Sequence, residues 1–103
     1  MWGIEVAAFV GREWDVAMNV AGRMEKLLSL AEQLGIEIRA ESMGGDGGGL
    51  CKLKGRRVLF VDIAADLATR YDRVLAGLAP LPDWENCFIV PEVRQDLENK
   101  RQQ

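Results

Sequence analysis

Between Glu13 and Leu34 the apolar residues Ala17, Val20, Ala21, Met24, Leu27, Leu28, Ala31 and Leu34 recur at steps of three and four, with Arg23, Glu25, Lys26, Glu32 and Gln33 between them. Side chains at that spacing share one face of a helix, so the segment is predicted to be an amphipathic α-helix that stops at Gly35. The period then shortens. Ile36-Glu37-Ile38-Arg39-Ala40-Glu41 alternates apolar with charged residues, as a strand with one wet face does. Leu50–Leu53 and Arg57–Ile63 flank Lys54-Gly55, which predicts a hairpin. The unbroken apolar run Val58–Val61 marks the second of these as a central strand covered on both faces. Asp66 is placed to cap another helix, with Leu67, Tyr71, Val74, Leu75 and Leu78 as its apolar stripe and Pro80 and Pro82 beyond its end. Asp83-Trp84-Glu85 then opens a short turn, Phe88-Ile89-Val90 forms a small apolar anchor, and Pro91 suits the first position of a final helix. Residues 100–103 are expected to fray. Ahead of all this, Ile4–Val10 is a short apolar run that reads as a strand or an ordered lead-in.

This order predicts an α+β fold. A small, mostly antiparallel three-stranded sheet, with 4–10 as the candidate fourth strand, would be covered by two main helices plus a short C-terminal helix. A length of 103 residues fits one domain over 1–103. Met18 also reads as a start, which would make residues 1–17 an N-terminal extension.

Composition removes more functions than it suggests. With no histidine in the chain, Ser-His-Asp and Cys-His nucleophiles, His-ligated zinc and imidazole acid–base chemistry are all excluded. Thirteen basic against sixteen acidic residues give a net charge of −3, which does not favour nucleic acid as a partner. The nearest basic cluster, Lys52, Lys54, Arg56 and Arg57, belongs to the hairpin turn, where solvation accounts for it. The N-terminal apolar run is too short to span a membrane, and Glu5 stands where a signal peptide carries positive charge. Two widely spaced cysteines, Cys51 and Cys87, fit a reducing compartment. The expectation is a cytoplasmic protein without membrane or nucleic-acid partners.

The stretch MGGDGGG, residues 43–49, holds five glycines in seven positions and raises the question of a phosphate loop. A P-loop needs Lys and then Ser or Thr after its last glycine, where Leu50 and Cys51 stand here. The dinucleotide pattern fails as well, because its third glycine would fall on Leu50 or Lys52. Both motifs feed a helix, whereas this stretch feeds a strand, so a flexible connection between strands is expected and no cofactor is assigned. The carboxylates Asp46, Asp62 and Asp66, with Cys51 and Lys52, remain the candidate cluster for a small ligand or divalent ion. VLFVDIAAD has the strand-end aspartate of a magnesium site without the adjacent second carboxylate, and Asp62 reads equally as a strand end. Cys51 and Cys87 read as small buried residues. Trp2, Trp14 and Trp84 read as core residues or, where exposed, as interface anchors.

Two resemblances follow from these segments. The run from Met24 to Leu78, with its helix ending LAEQLGIEIRAE, a glycine-containing turn, two strands and an amphipathic helix, resembles in layout the ImmA/IrrE-type zinc metallopeptidases. That alignment puts Tyr71 and Asp72 at the first His and the Glu of the family's HExxH and Leu75 at the second His, so the motif is absent and zinc and peptidase activity are not carried over. What the likeness implies is at most a peptide-binding groove beside Tyr71 and Asp72. GGGLCKLKGRRVLFVD and PEVRQDLE are similar to short uncharacterised bacterial proteins with a glycine–Cys strand, an apolar strand ending in Asp and a PxVR tail. That likeness implies a bacterial domain and no activity.

The function expected from the sequence is therefore protein–protein association, with a homodimer as the simplest form and no turnover. An enzyme using Asp46, Cys51, Lys52, Asp62 and Asp66 around the glycine loop, and a degenerate peptidase-like regulator, are the alternatives.

Overall fold

A computed structural model describes residues 20–103 of the chain. Trp2, Trp14, the candidate strand at 4–10 and the proposed 1–17 extension lie outside the described residues. Helix α1 occupies residues 20–33 and ends in a Schellman turn: Gly35 adopts φ 76°, its N–H bonds the Glu32 carbonyl at 3.0 Å, and the Ile36 N–H reaches back to Ala31 at 3.0 Å. Ile36 is buried at this turn and anchors the chain as it enters β1, Glu37–Glu41. Strands β2, Gly48–Leu53, and β3, Arg56–Asp62, follow as the expected hairpin. Its loop residues Lys54 and Gly55 both have positive φ, 52° and 79°, the type I′ geometry that matches the right-handed twist of paired strands.

The strand order is β1-β3-β2, with β1 parallel and β2 antiparallel to β3. The α+β class and the central position of β3 agree with the sequence; the sheet, expected to be mostly antiparallel, is mixed. The reason is topological. Since β1 and β2 flank β3, the chain leaving β1 must pass over the C-terminal end of β3 to reach β2, and the glycine stretch is the crossing.

Helix α2, Leu67–Leu78, is capped by Asp66, whose carboxylate accepts the Thr69 N–H at 2.8 Å. A 3-10 turn, Asp83–Asn86, leads to α3, Pro91–Arg101, with Pro91 in the first turn as expected. Leu27, Leu30 and Ala31 of α1, Leu59 and Val61 of β3, Val74 and Leu78 of α2, and Val93 and Leu97 of α3 meet in one core around Trp84. Each large aliphatic side chain removed from water there contributes about 1.5–3 kcal/mol. Because side chains alternate across a strand, Leu59 and Val61 face the helices while Val58 and Phe60 face the other side of the sheet, where Cys51 and Leu53 of β2 also point. Val58 is buried on that side as well, at 1% exposure, whereas Leu53 is exposed. Two close approaches fix α2 against β2 and the crossing loop: a Cβ at Gly77 would come within 2.9 Å of Leu50, and one at Gly47 would overlap Arg73.

The chain end departs from expectation. Far from fraying at 100, α3 runs through Arg101, whose guanidinium bonds the Ala79 carbonyl at 2.8 Å and the Leu81 carbonyl at 2.7 Å. Those carbonyls lie at and beyond the end of α2, where helical partners run out, and the cation supplies the missing donors.

Candidate functional site

The glycine stretch does enclose an anion, and the anion is the protein's own Asp62. This carboxylate, at the end of β3, is completely buried. Its Oδ1 accepts the N–H groups of Met43 at 2.8 Å and Ala64 at 2.9 Å. Its Oδ2 accepts those of Gly45 at 2.6 Å and Gly47 at 3.1 Å. Burial by itself would push the carboxyl pKa up. The N–H groups of Met43, Gly47, Ala64 and Gly45 outweigh it and hold the group down at about 2. The crossing over β3 leaves a row of loop N–H groups with no strand to pair with, and one charged acceptor satisfies them. Glycine is required where the path demands it: Gly47 and Gly48 have φ of 97° and 91°, and a Cβ at Gly48 would overlap the Phe60 carbonyl oxygen.

This arrangement separates the candidate cluster Asp46, Cys51, Lys52, Asp62 and Asp66. Both oxygens of Asp62 are fully engaged, which leaves no lone pair directed at a ligand. Asp66 is committed to the first turn of α2, and the hydroxyl and N–H of Thr69 hold its carboxyl below the usual range. Cys51, expected to be buried, is exposed on the sheet face away from the helices, because that is where its register opposite Val58 aims it. Lys52, its neighbour along β2, points to the opposite face, so thiol and amine cannot act together. Asp46 is exposed at the tip of the crossing loop. Among the described residues no group of three or more Cys, Asp or Glu side chains is placed to hold a metal ion.

Trp84, a candidate interface anchor, is instead a core residue at 1% exposure. Its Nε1–H donates to the Ala79 carbonyl at 3.1 Å, and the guanidinium carbons of Arg101 and Arg94 lie 4.3 and 5.5 Å from the ring centroid. The positions suggested for a peptide groove are also occupied. Tyr71 Oη donates to Asp96 Oδ2 at 2.6 Å and Asp72 is ion-paired with Lys100, both across the α2–α3 contact.

Among the described residues, the surface left open is composed differently from the one the sequence pointed to. Phe88 is 90% exposed, beside a shallow groove of about 190 Å³ lined by Lys26, Leu30, Gln33, Ile89 and Val90. Beyond β1, among the described residues, no strand continues the sheet. The backbone orientation along that edge is determinate. The Ile63 N–H donates to the Glu41 carbonyl at 3.0 Å, so Glu41 directs its peptide groups toward β3. N–H and C=O of one strand residue lie on the same side and the side alternates, so Glu37 and Arg39 also face β3, whereas Ile38 and Ala40 present theirs outward. No sequence signal marks this edge, because strand order is not written in a single segment. No described helix is long and apolar enough to cross a membrane. Comparison with known proteins supplies no relative: no protein family, curated protein or solved structure matches the chain.

Proposed function

We propose that this chain acts by protein–protein association, without turnover of its own, and that its binding surface is the open edge of β1. The observation that carries this reading is the outward presentation of the Ile38 and Ala40 peptide groups on a strand that nothing described pairs with. Such an edge is a template for strand addition, which natural sheets blunt with short length, charge, proline, bulges or a covering element. Strand β1 is short and charged, but its charges alternate in sign and can be matched by a complementary strand. The side chains suggested for an enzyme give the alternative less support, since Asp62 and Asp66 are consumed in structure and Cys51 and Lys52 point to opposite faces.

Size-exclusion chromatography with light scattering over a concentration series, combined with amide exchange, tests the proposal. Association is expected to slow exchange at Ile38 and Ala40 as concentration rises. A strict monomer whose β1 amides exchange freely at every concentration, and which gains no protection from any partner, would end it.

A further inference from the structure

Resting on the association reading, we infer that the partner of β1 is a second copy of this chain, paired antiparallel with Ala40 on the two-fold axis. In this arrangement Arg39 of each copy faces Glu41 of the other.

The backbone and the charges select this arrangement together. In a two-fold antiparallel pair, opposed residues have a constant sum of positions, and only outward-facing residues exchange hydrogen bonds. Ile38 and Ala40 must therefore oppose outward-facing residues of the other copy, and three centres satisfy this. Centring on Arg39 sets Arg39 against Arg39 and Glu37 against Glu41, like charges at every wet position, which is unfavourable. Centring on Ile38 sets Arg39 against Glu37. It also brings residue 36, still turning out of α1, opposite Ala40, and it draws on a carboxylate already held by Arg39 at 2.7 Å and Arg56 at 3.6 Å. Centring on Ala40 sets Arg39 against Glu41, which is exposed at the end of the strand, and leaves the Glu37–Arg56 pair intact. It sets Ile38 against Ser42, one exposed residue past the strand, whereas Ile36 in the previous arrangement has already given its N–H to the Ala31 carbonyl. It places the smallest side chain of the strand on the axis. The sheet then runs unbroken from β2 of one copy to β2 of the other, and both β1 edges are covered.

The test uses the full chain and charge reversal. Arg39→Glu and Glu41→Arg each set like charges across the axis twice, and each is expected to weaken self-association by about tenfold or more. An equimolar mixture of the two variants restores both contacts, because one copy presents Glu at 39 and 41 and the other presents Arg. Light scattering should then show a heterodimer within a few-fold of the original affinity. Both substitutions are on exposed side chains, so unchanged circular dichroism is expected. If both variants self-associate like the parent, association does not use this register and this inference falls; slowed exchange at Ile38 and Ala40 on association then keeps the β1-edge reading, and unchanged exchange there overturns that as well. A parent that stays monomeric with Ala40 already protected from exchange has its edge filled from within the same chain, which also overturns the inference. A monomeric parent with Ala40 unprotected at every concentration removes the inference of a second copy, and the association reading falls with it only if no other protein protects Ile38 and Ala40.

Discussion

Two corners of this molecule solve the same problem with opposite charges. At the end of β3, one buried carboxylate, Asp62, gathers backbone N–H groups from the crossing loop. At the far end of α2, two guanidiniums gather backbone carbonyls: Arg101 those of Ala79 and Leu81, and Arg94 that of Cys87 at 2.8 Å. The difference lies in what each charge holds in place. The loop at residues 42–47 has no strand or helix of its own, and its path is fixed mainly by the carboxylate it surrounds. The carbonyls around Arg101 belong to the end of α2 and the residues just after it; that of Ala79 keeps the Trp84 Nε1–H as a second donor, and that of Leu81 is on a half-buried residue where water can replace the cation. A buried anion organising a loop is therefore expected to matter more than a half-exposed cation finishing a helix.

The largest effect should follow from Asp62→Ala, which leaves four loop N–H groups without their acceptor. The expected result is loss of the folded state or a fall in Tm on the order of 20 °C, read by thermal melts. Asp62→Asn keeps the shape but turns one acceptor into a donor facing N–H groups, so it should be nearly as damaging. The carboxyl titrates near 2 in the fold against 3.8 in its ordinary state, so its contribution is complete above about pH 4 and is lost as pH falls toward 2. Chemical denaturation between pH 5 and 2 should show that slope in the parent and a much flatter one in Asp62→Asn. Equal slopes would mean that the loop does not depend on the ionised group.

Arg101→Met tests the other corner while preserving apolar contact over the Trp84 ring. We expect a loss of about 1–2 kcal/mol in denaturant titrations, since the Trp84 Nε1–H still serves the Ala79 carbonyl and water rehydrates that of Leu81. Arg101→Lys should recover only part of it, because a single ammonium cannot reach both carbonyls and stack on the ring as a planar guanidinium does. If Arg101→Met costs as much as Asp62→Ala, the contrast between the two corners fails.

The two corners also differ in how legible they were. The elements themselves were written locally: the three- and four-residue spacing of Met24, Leu27 and Ala31, the Asp66 cap, the Lys54-Gly55 turn and Pro91 each act within a few residues, and each element formed where its signal stood. The mixed sheet was not legible, because pairing β1 parallel to β3 is a long-range choice. Once that order is known, the glycines and Asp62 explain one another; without it, Asp62 was one of five candidates for a ligand site. The opposed directions of Cys51 and Lys52 follow from strand period alone, so that pair could have been set aside from sequence. Arg94 and Arg101 lie seven apart on α3 and so share a face, but nothing local announces that a tryptophan from the preceding turn fills the space against them.

A third junction combines both devices and should give the smallest effect. Asp96 Oδ2 receives the Tyr71 hydroxyl at 2.6 Å and the Arg23 guanidinium at 2.8 Å, joining α1, α2 and α3 through side chains alone. Because Asp96 keeps Arg23 when the hydroxyl is deleted, Tyr71→Phe should cost only about 1 kcal/mol at neutral pH. Burial, and then the hydrogen bond and charge of Asp96, push the Tyr71 phenol well above its ordinary range. A raised phenol pKa favours the neutral form in the fold, so the contribution is whole below about pH 10 and is lost as pH rises above it. Tyr71 is the only tyrosine in the chain, so tyrosinate absorbance reports this site alone. It should stay silent through the usual titration range and emerge together with unfolding, and Tyr71→Phe should lose less stability above pH 10 than the parent does. Tyrosinate that appears near pH 10 while the fold is intact would place the phenol in water and dissolve the junction.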